Sequence, residues 1–160
     1  MPPKSIVWRT DLEGVTWEML ENLYARAPLG NKSAATLATA FRGSQLHCIA
    51  WENGQLIAAG RALADGVDCA YLCDIAVLPE YQGQGLGQAV VQHLLAQAAG
   101  HRKIILYAAA GKEGFYQRLG FSPMKTAMAQ FADPISAAQA GLIDTVVATQ
   151  EFHSSVPPSV

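Results

Sequence analysis

Three glycines at alternate positions, Gly83, Gly85 and Gly87, stand between an apolar run that reads as a strand and a run that reads as a helix. Glycine there lets the backbone come close to a ligand, and the first N–H groups of the following helix have no partner within it. Together with the positive end of the helix dipole they make an anion site suited to a phosphate or pyrophosphate. A plain tight turn has the same composition, so the flanking residues must name the ligand. A P-loop needs Lys and then Ser or Thr after its last glycine, and Gln88-Ala89 stand there. A dinucleotide fingerprint begun at Gly83 and Gly85 needs its third glycine where Gln88 sits. It also needs an acid about 20 residues on, where the chain reads Lys103-Ile104-Ile105-Leu106. Both nucleotide readings fail. Asp74 is the other residue that demands a reason: it is the one carboxylate within the apolar run 70–78, where an unpaired charge is costly to bury. Cys69 and Cys73 lie four apart without a second cysteine pair, which argues against zinc, and no metal is expected.

These residues need elements to position them. Residues 6–9 read as a short strand, and Thr16 can cap a helix in which Trp17, Leu20, Leu23 and Tyr24 recur at helical spacing. The stretch 27–32, with Pro28 and Gly30, breaks that helix, and 33–41 reads as a second one. Strands at 46–52 and 55–63 are joined by Asn53-Gly54, a strong hairpin signal because both residues tolerate positive φ. A turn around Asp65-Gly66 leads to a strand at 70–78, apolar on both faces apart from Asp74 and therefore central in its sheet. Pro79 ends it. A helix at 86–99 carries Leu86, Val90, Leu94 and Ala98 on one stripe and stops at Gly100. The strand that follows at 103–108 implies a right-handed crossover and locally parallel pairing. A helix at 112–119 ends at Gly120; Phe121 and 126–131 are expected to supply the last strands, 135–143 a further helix, and 154–160 a mobile tail.

The chain has 160 residues, of which 51% are hydrophobic and 15% charged, with a formal net charge of −2. That is enough for one domain with a core, and it excludes a disordered chain. The slight acidic excess excludes a general nucleic-acid binder. No run of apolar residues is long enough to span a bilayer, and the start, Met1-Pro2-Pro3-Lys4, lacks the apolar stretch of a secretory signal. Three cysteines, an odd number in a chain of this size, read as reduced thiols. The expectation is a cytoplasmic domain that binds neither nucleic acid nor membrane.

Gln82-Gly83-Gln84-Gly85-Leu86-Gly87 has the Gln-x-x-Gly-x-Gly form of the acetyl-coenzyme A loop in the GNAT superfamily of N-acetyltransferases. Downstream, Gly111-Lys112-Glu113-Gly114-Phe115-Tyr116-Gln117-Arg118-Leu119-Gly120-Phe121 resembles that superfamily's second signature, a Phe-Tyr before a Gly-Phe. Two motifs in this order with a strand between them are more specific than either alone. The resemblance runs over roughly residues 46–131 and departs at Gly111, where many members carry Asn. It implies an α/β (α+β) fold: a mixed, mostly antiparallel twisted sheet with a splayed parallel strand pair and helices on both faces. The domain would span 1–132, with 133–160 as a C-terminal extension. The resemblance also implies direct transfer of an acetyl group from acetyl-coenzyme A to a primary amine, without a covalent enzyme intermediate. Gln82, Gly83, Gln84, Gly85, Leu86, Gly87 and Gln88 would then hold the pyrophosphate. The main chain of Ile75, Ala76 and Val77 would bind the pantetheine arm like an added strand, one N–H polarising the thioester carbonyl, while the Ile75 and Val77 side chains pack in the core. Gly111, Phe115 and Tyr116 complete the cofactor-binding set.

An alkylamine with a pKa near 10.4 is only about one part in 10³ neutral at pH 7, so a proton acceptor would help it attack. Asp74 is the candidate, directly or through water, with its pKa raised by burial. Glu80 is the substitute, and the alternative for Asp74 is a structural carboxylate paired with backbone or with Arg61. Tyr116 matches the tyrosine of the second motif and is the candidate proton donor to the departing thiolate; its alternative is an aromatic packed beside Phe115 and Phe121. Tyr24, Arg26, Leu29, Phe41, Asp65 and Asp68 suit a cationic, partly apolar small-molecule amine as acceptor. Residues 74–87 also resemble the plastid-type serotonin and arylalkylamine acetyltransferase branch. A peptide or protein amine as acceptor, and a non-catalytic acyl-coenzyme A sensor, are the alternatives. Ile135, Leu142, Ile143, Val146 and Val147 would pack on their own sheet or on a second subunit in a homodimer.

Overall fold

Asn53 and Gly54 take φ of 49° and 77° and close the hairpin between β2 (Leu46–Glu52) and β3 (Gln55–Ala64), as the sequence predicts. In the computed structural model, which describes residues 5–27 and 29–144, this hairpin is the centre of a five-stranded sheet. β1 (Ile6–Arg9) pairs with β2 and β4 (Cys69–Val77) with β3, all antiparallel. β5 (Lys103–Ile105) pairs parallel with β4, which gives the order β1-β2-β3-β4-β5. The Asp65-Gly66 turn forms as expected. Its Asp65 carboxylate accepts the N–H groups of Val67, Asp68 and Cys69, which holds that carboxyl at about 2.

α1 (Trp17–Arg26) starts at Thr16, whose hydroxyl accepts the Met19 N–H, and α2 (Ala34–Arg42) starts at Ser33, whose hydroxyl accepts that of Thr36. Leu20, Leu23 and Tyr24 of α1 and Leu37 and Phe41 of α2 are fully buried. α3 (Leu86–Gln97) buries Leu86, Val90, Val91 and Leu94. Gly60 in β3 lies against α3, where an added Cβ would stand 2.7 Å from Val90 Cγ1 and 2.8 Å from Ile75 Cδ1. A larger residue there would force Val90 and Ile75 to move. Arg61, the next residue, projects from the opposite face and bonds Ser44, just past α2, and Asp74. Helices therefore cover both faces, and the expected mixed sheet is the one observed.

The chain forms two compact units, Met1–Tyr107 and Ala108–Val160. The sheet and α1–α3 make up the first. The second holds α4 (Glu113–Gln117) and α5 (Pro134–Gln139), the latter capped by Asp133 through the Ser136 N–H. Among the described residues the strands expected at Phe121 and 126–131 do not form. Residues 126–130 are exposed, Met128 at 97%, so their alternation presents no face to a core and nothing favours pairing. The strand expected at 103–108 also stops early, at Ile105. Pro28, Val146, Val147 and the expected tail at 154–160 lie outside the described residues.

Candidate active site

The glycine segment leaves β4 through one 3₁₀ turn, Pro79–Tyr81, whose Tyr81 hydroxyl bonds Glu52 at 2.5 Å. Gly83 and Gly85 then take φ of 73° and 83°, and Gly85 caps α3 with no side chain of its own. An added Cβ at either would meet nothing within 4 Å, so left-handed backbone alone requires glycine here. The Gln82 carboxamide donates to the Val77 carbonyl at 3.0 Å and that of Gln84 to the Glu80 carbonyl at 3.0 Å. Both glutamines thus hold the loop to the end of its strand. Among the described residues, the first backbone N–H after Gln82 to find a protein acceptor is that of Ala89, on the Gly85 carbonyl at 3.0 Å. The N–H groups of Gly83, Gln84, Gly85, Leu86, Gly87 and Gln88 are left to a ligand. No acid stands in the first turn of α3, so an anion here meets only donors and the positive end of the helix.

β4 reaches this loop with its outer edge largely open. It pairs with β5 only from Cys69 opposite Lys103 to Tyr71 opposite Ile105, and then runs on to Val77. Ala59 faces Ala76 and Arg61 faces Cys73, so Asp74 and Ile75 together oppose Gly60 in a β-bulge. Asp74 takes φ of 54°. Ile75 turns toward α3 beside Gly60, and Ala76 and Val77 are buried. Their side chains pack in the core, and their main chain is what the bulge leaves near the open edge.

The bulge sends the Asp74 carboxylate to the α1–α2 face. Arg61 Nε meets its Oδ2 at 2.8 Å, and the Lys32 ammonium bonds Oδ1. The Tyr24 hydroxyl donates to the Asp74 carbonyl, and burial with the Asp74 charge keeps that phenol well above its usual range. Burial pushes the Asp74 carboxyl up, but the hydrogen bonds from Lys32 and Arg61 and their two charges outweigh it and hold it below the usual carboxylate range. The expectation of a raised Asp74 pKa is therefore corrected: the carboxylate enters the interior with two cations. Glu80, the substitute, is also paired; its own backbone N–H and both bonds from Arg26, at 2.9 and 2.8 Å, hold it low. Asp65 and Asp68 do not join this cluster, since Asp65 holds its turn and Asp68 pairs with Lys103.

In the second unit, Gly111 takes φ of 84° just before α4. Tyr116 is half-buried, its ring edge-on to Phe115 at 5.0 Å and to Phe121 at 6.0 Å, and burial raises its phenol pKa. The three cysteines are free thiols, and burial pushes Cys48 up to about 12. Among the described residues no three His, Cys, Asp or Glu side chains gather as metal ligands, and no helix is long and apolar enough to cross a membrane. Lys32 is the residue that sequence reasoning missed. It stands 42 positions from Asp74 in an irregular segment, where no local pattern marks it.

Residues 13–121 match the model of the Acetyltransferase (GNAT) family. The chloroplastic serotonin N-acetyltransferase 2 of Oryza sativa subsp. japonica is 32% identical over 123 residues, covering 71% of this chain and 60% of the relative. The histone acetyltransferase TAP1 of Glycine max is 35% identical over 107 residues, covering 61% of this chain and 46% of its own. The chain thus spans about three fifths or less of the length of these relatives. An aminoglycoside N-acetyltransferase solved in complex with CoA superposes with a TM-score of 0.63 at 18% identity, over 82% of this chain and 97% of that one. The chain belongs to the GNAT acetyltransferase family.

Proposed function

We infer that the protein is an N-acetyltransferase that uses acetyl-coenzyme A to acetylate a small-molecule primary amine. The observation that carries this reading is the run of six free N–H groups from Gly83 to Gln88 at the foot of an open β4 edge. That donor set fits a pyrophosphate, and the edge beside it fits the amides of a pantetheine arm. When bound, acetyl-coenzyme A supplies the activated acetyl group. The backbone of Gly83–Gln88 holds the anion, and Ile75, Ala76 and Val77 offer main-chain groups to the arm.

Asp74, held low by Lys32 and Arg61, is ionised at neutral pH. It suits the binding of an amine as its ammonium and the passing of a proton to water better than it suits a strong base. The Tyr116 phenol, raised by burial, is protonated at neutral pH and suits a donor to the departing thiolate. The serotonin acetyltransferase relative supports a small amine; the histone acetyltransferase relative keeps a lysine side chain as the second reading. Thiol release from acetyl-coenzyme A against aromatic amines, polyamines, amino acids and a lysine peptide tests both. Release with a small amine class is the expected result. Release with the peptide alone would transfer the reading to protein acceptors. Coenzyme A binding without release for any amine would make the chain a sensor.

A further inference from the structure

Asp74 holds two cations of different standing. Arg61 rises from within β3, its side chain only 15% exposed, and a second bond to Ser44 Oγ at 3.1 Å fixes it. Lys32 comes from the irregular segment between α1 and α2, with 30% of its side chain exposed. Its ammonium bonds Asp74 Oδ1 and lies 5.5 Å from the centre of the Tyr24 ring. Both cations stabilise the carboxylate, but Arg61 alone balances its charge. Lys32 leaves these three side chains with one positive charge in excess.

A carboxylate oxygen beside an aromatic ring is a composition that recognises a primary ammonium, and here a primary ammonium of the chain itself fills it. The geometry points to this as the acceptor's ammonium subsite: the substrate ammonium replaces that of Lys32 on Asp74 Oδ1 beside Tyr24, and Lys32 moves out to solvent. The exchange is charge for charge, so the Arg61–Asp74 pair stays intact and no buried charge is uncovered. Lys32 is then a competitor built into the chain, and it sets the amine affinity. The class of acceptor follows from the occupant. It is a protonated primary amine on a methylene carbon, as in an alkylamine, an arylalkylamine or a lysine side chain. Anilines and amides, neutral at pH 7, do not qualify. As an acceptor site this deepens the amine-transfer reading and rests on it, but binding can be tested without transfer.

The probe is n-butylammonium, the free form of the lysine side chain, titrated by NMR into the wild type and into Lys32→Met and Lys32→Arg. If the Lys32 pair is closed about nine-tenths of the time, the competent fraction is about one tenth, and Lys32→Met binds about 10-fold more tightly than the wild type. Lys32→Arg, whose guanidinium still occupies Asp74, stays near the wild type. Equal or weaker binding in Lys32→Met, or no saturable binding in it, overturns the proposal. A second readout uses the wild type alone: acylation of Lys32 by an acetylating reagent, followed by mass spectrometry. Because the free amine also consumes reagent, labelling is read as a ratio to the exposed Lys112 and Lys125 of the same sample; butylammonium at saturation is expected to raise the Lys32 ratio, and an unchanged ratio contradicts displacement. Failure of the enzyme reading is separate, since it appears as absent thiol release while butylammonium binding still depends on Lys32.

Discussion

The glycine loop and the Asp74 bulge sit close together along one strand and its exit, and they are opposites. The loop presents a run of donors with no protein acceptor. The bulge presents a carboxylate with both oxygens occupied by cations. The loop can take an anion without breaking any bond, because Gln82 and Gln84 already hold its shape. The bulge can take a cation only by giving one up. Preorganisation at the first site favours affinity, and exchange at the second favours selection among partners.

The largest effect expected is on the saturated side. Asp74→Ala leaves Arg61 partly buried without its carboxylate and is expected to cost about 3 kcal/mol in denaturant unfolding. Lys32→Met, which leaves that pair intact, is expected to cost under about 1 kcal/mol. Equal losses would mean that Arg61 alone does not sustain the carboxylate and would break the distinction between the two cations. The pH dependence has a definite sign. The folded Asp74 pKa lies below its ordinary value of 3.8, so its contribution to stability is complete above that value and is lost as pH falls through the lower folded one. Asp74→Asn should flatten that acid limb of the stability profile.

On the open side, Gly85→Val puts a β-branched residue at φ of 83° with space for its side chain but not for its backbone. The loop must re-form, and acetyl-coenzyme A affinity is expected to fall by on the order of 100-fold, about 2.7 kcal/mol, in calorimetry. The stability of the Asp74 cluster should be untouched. Tyr116→Phe is expected to lower turnover about 10-fold with acetyl-coenzyme A affinity nearly unchanged; the effect is modest because a thiolate of ordinary pKa, about 8.5, leaves readily. Equal turnover would return Tyr116 to a packing role beside Phe115 and Phe121. Gly111→Asn introduces the side chain that the resemblance of the second motif leads one to expect there. Because Asn tolerates left-handed backbone, it is expected to tighten acetyl-coenzyme A binding about three-fold.

The two sides were unequally legible in the sequence. Thr16, Ser33, Asn53-Gly54 and the 83–87 glycines act on their immediate neighbours, so local chemistry sufficed to place α1, α2, the hairpin and the loop. The Asp74 cluster joins residues from β3, β4 and a segment 42 positions away, and no local rule couples them. Arg61 was visible as a partner because one carboxylate in an apolar strand must find a cation. Lys32 was not, because a lysine in a polar turn has no pattern of its own. The bulge at Asp74 and Ile75 is a register shift against Gly60, which alternation cannot announce. At 126–131 alternation misled in the other direction, since Ala127 and Met128 face no core. A period of two specifies a strand only where one face is buried.

Amine-dependent release of thiol from acetyl-coenzyme A decides whether the anion-binding loop and the Asp74 cluster serve acetyl transfer. Release is expected to saturate with a protonated primary amine and, in Gly85→Val, to need on the order of 100-fold more acetyl-coenzyme A. Saturable coenzyme A binding with no release for any primary amine, small or peptide-borne, would contradict that role.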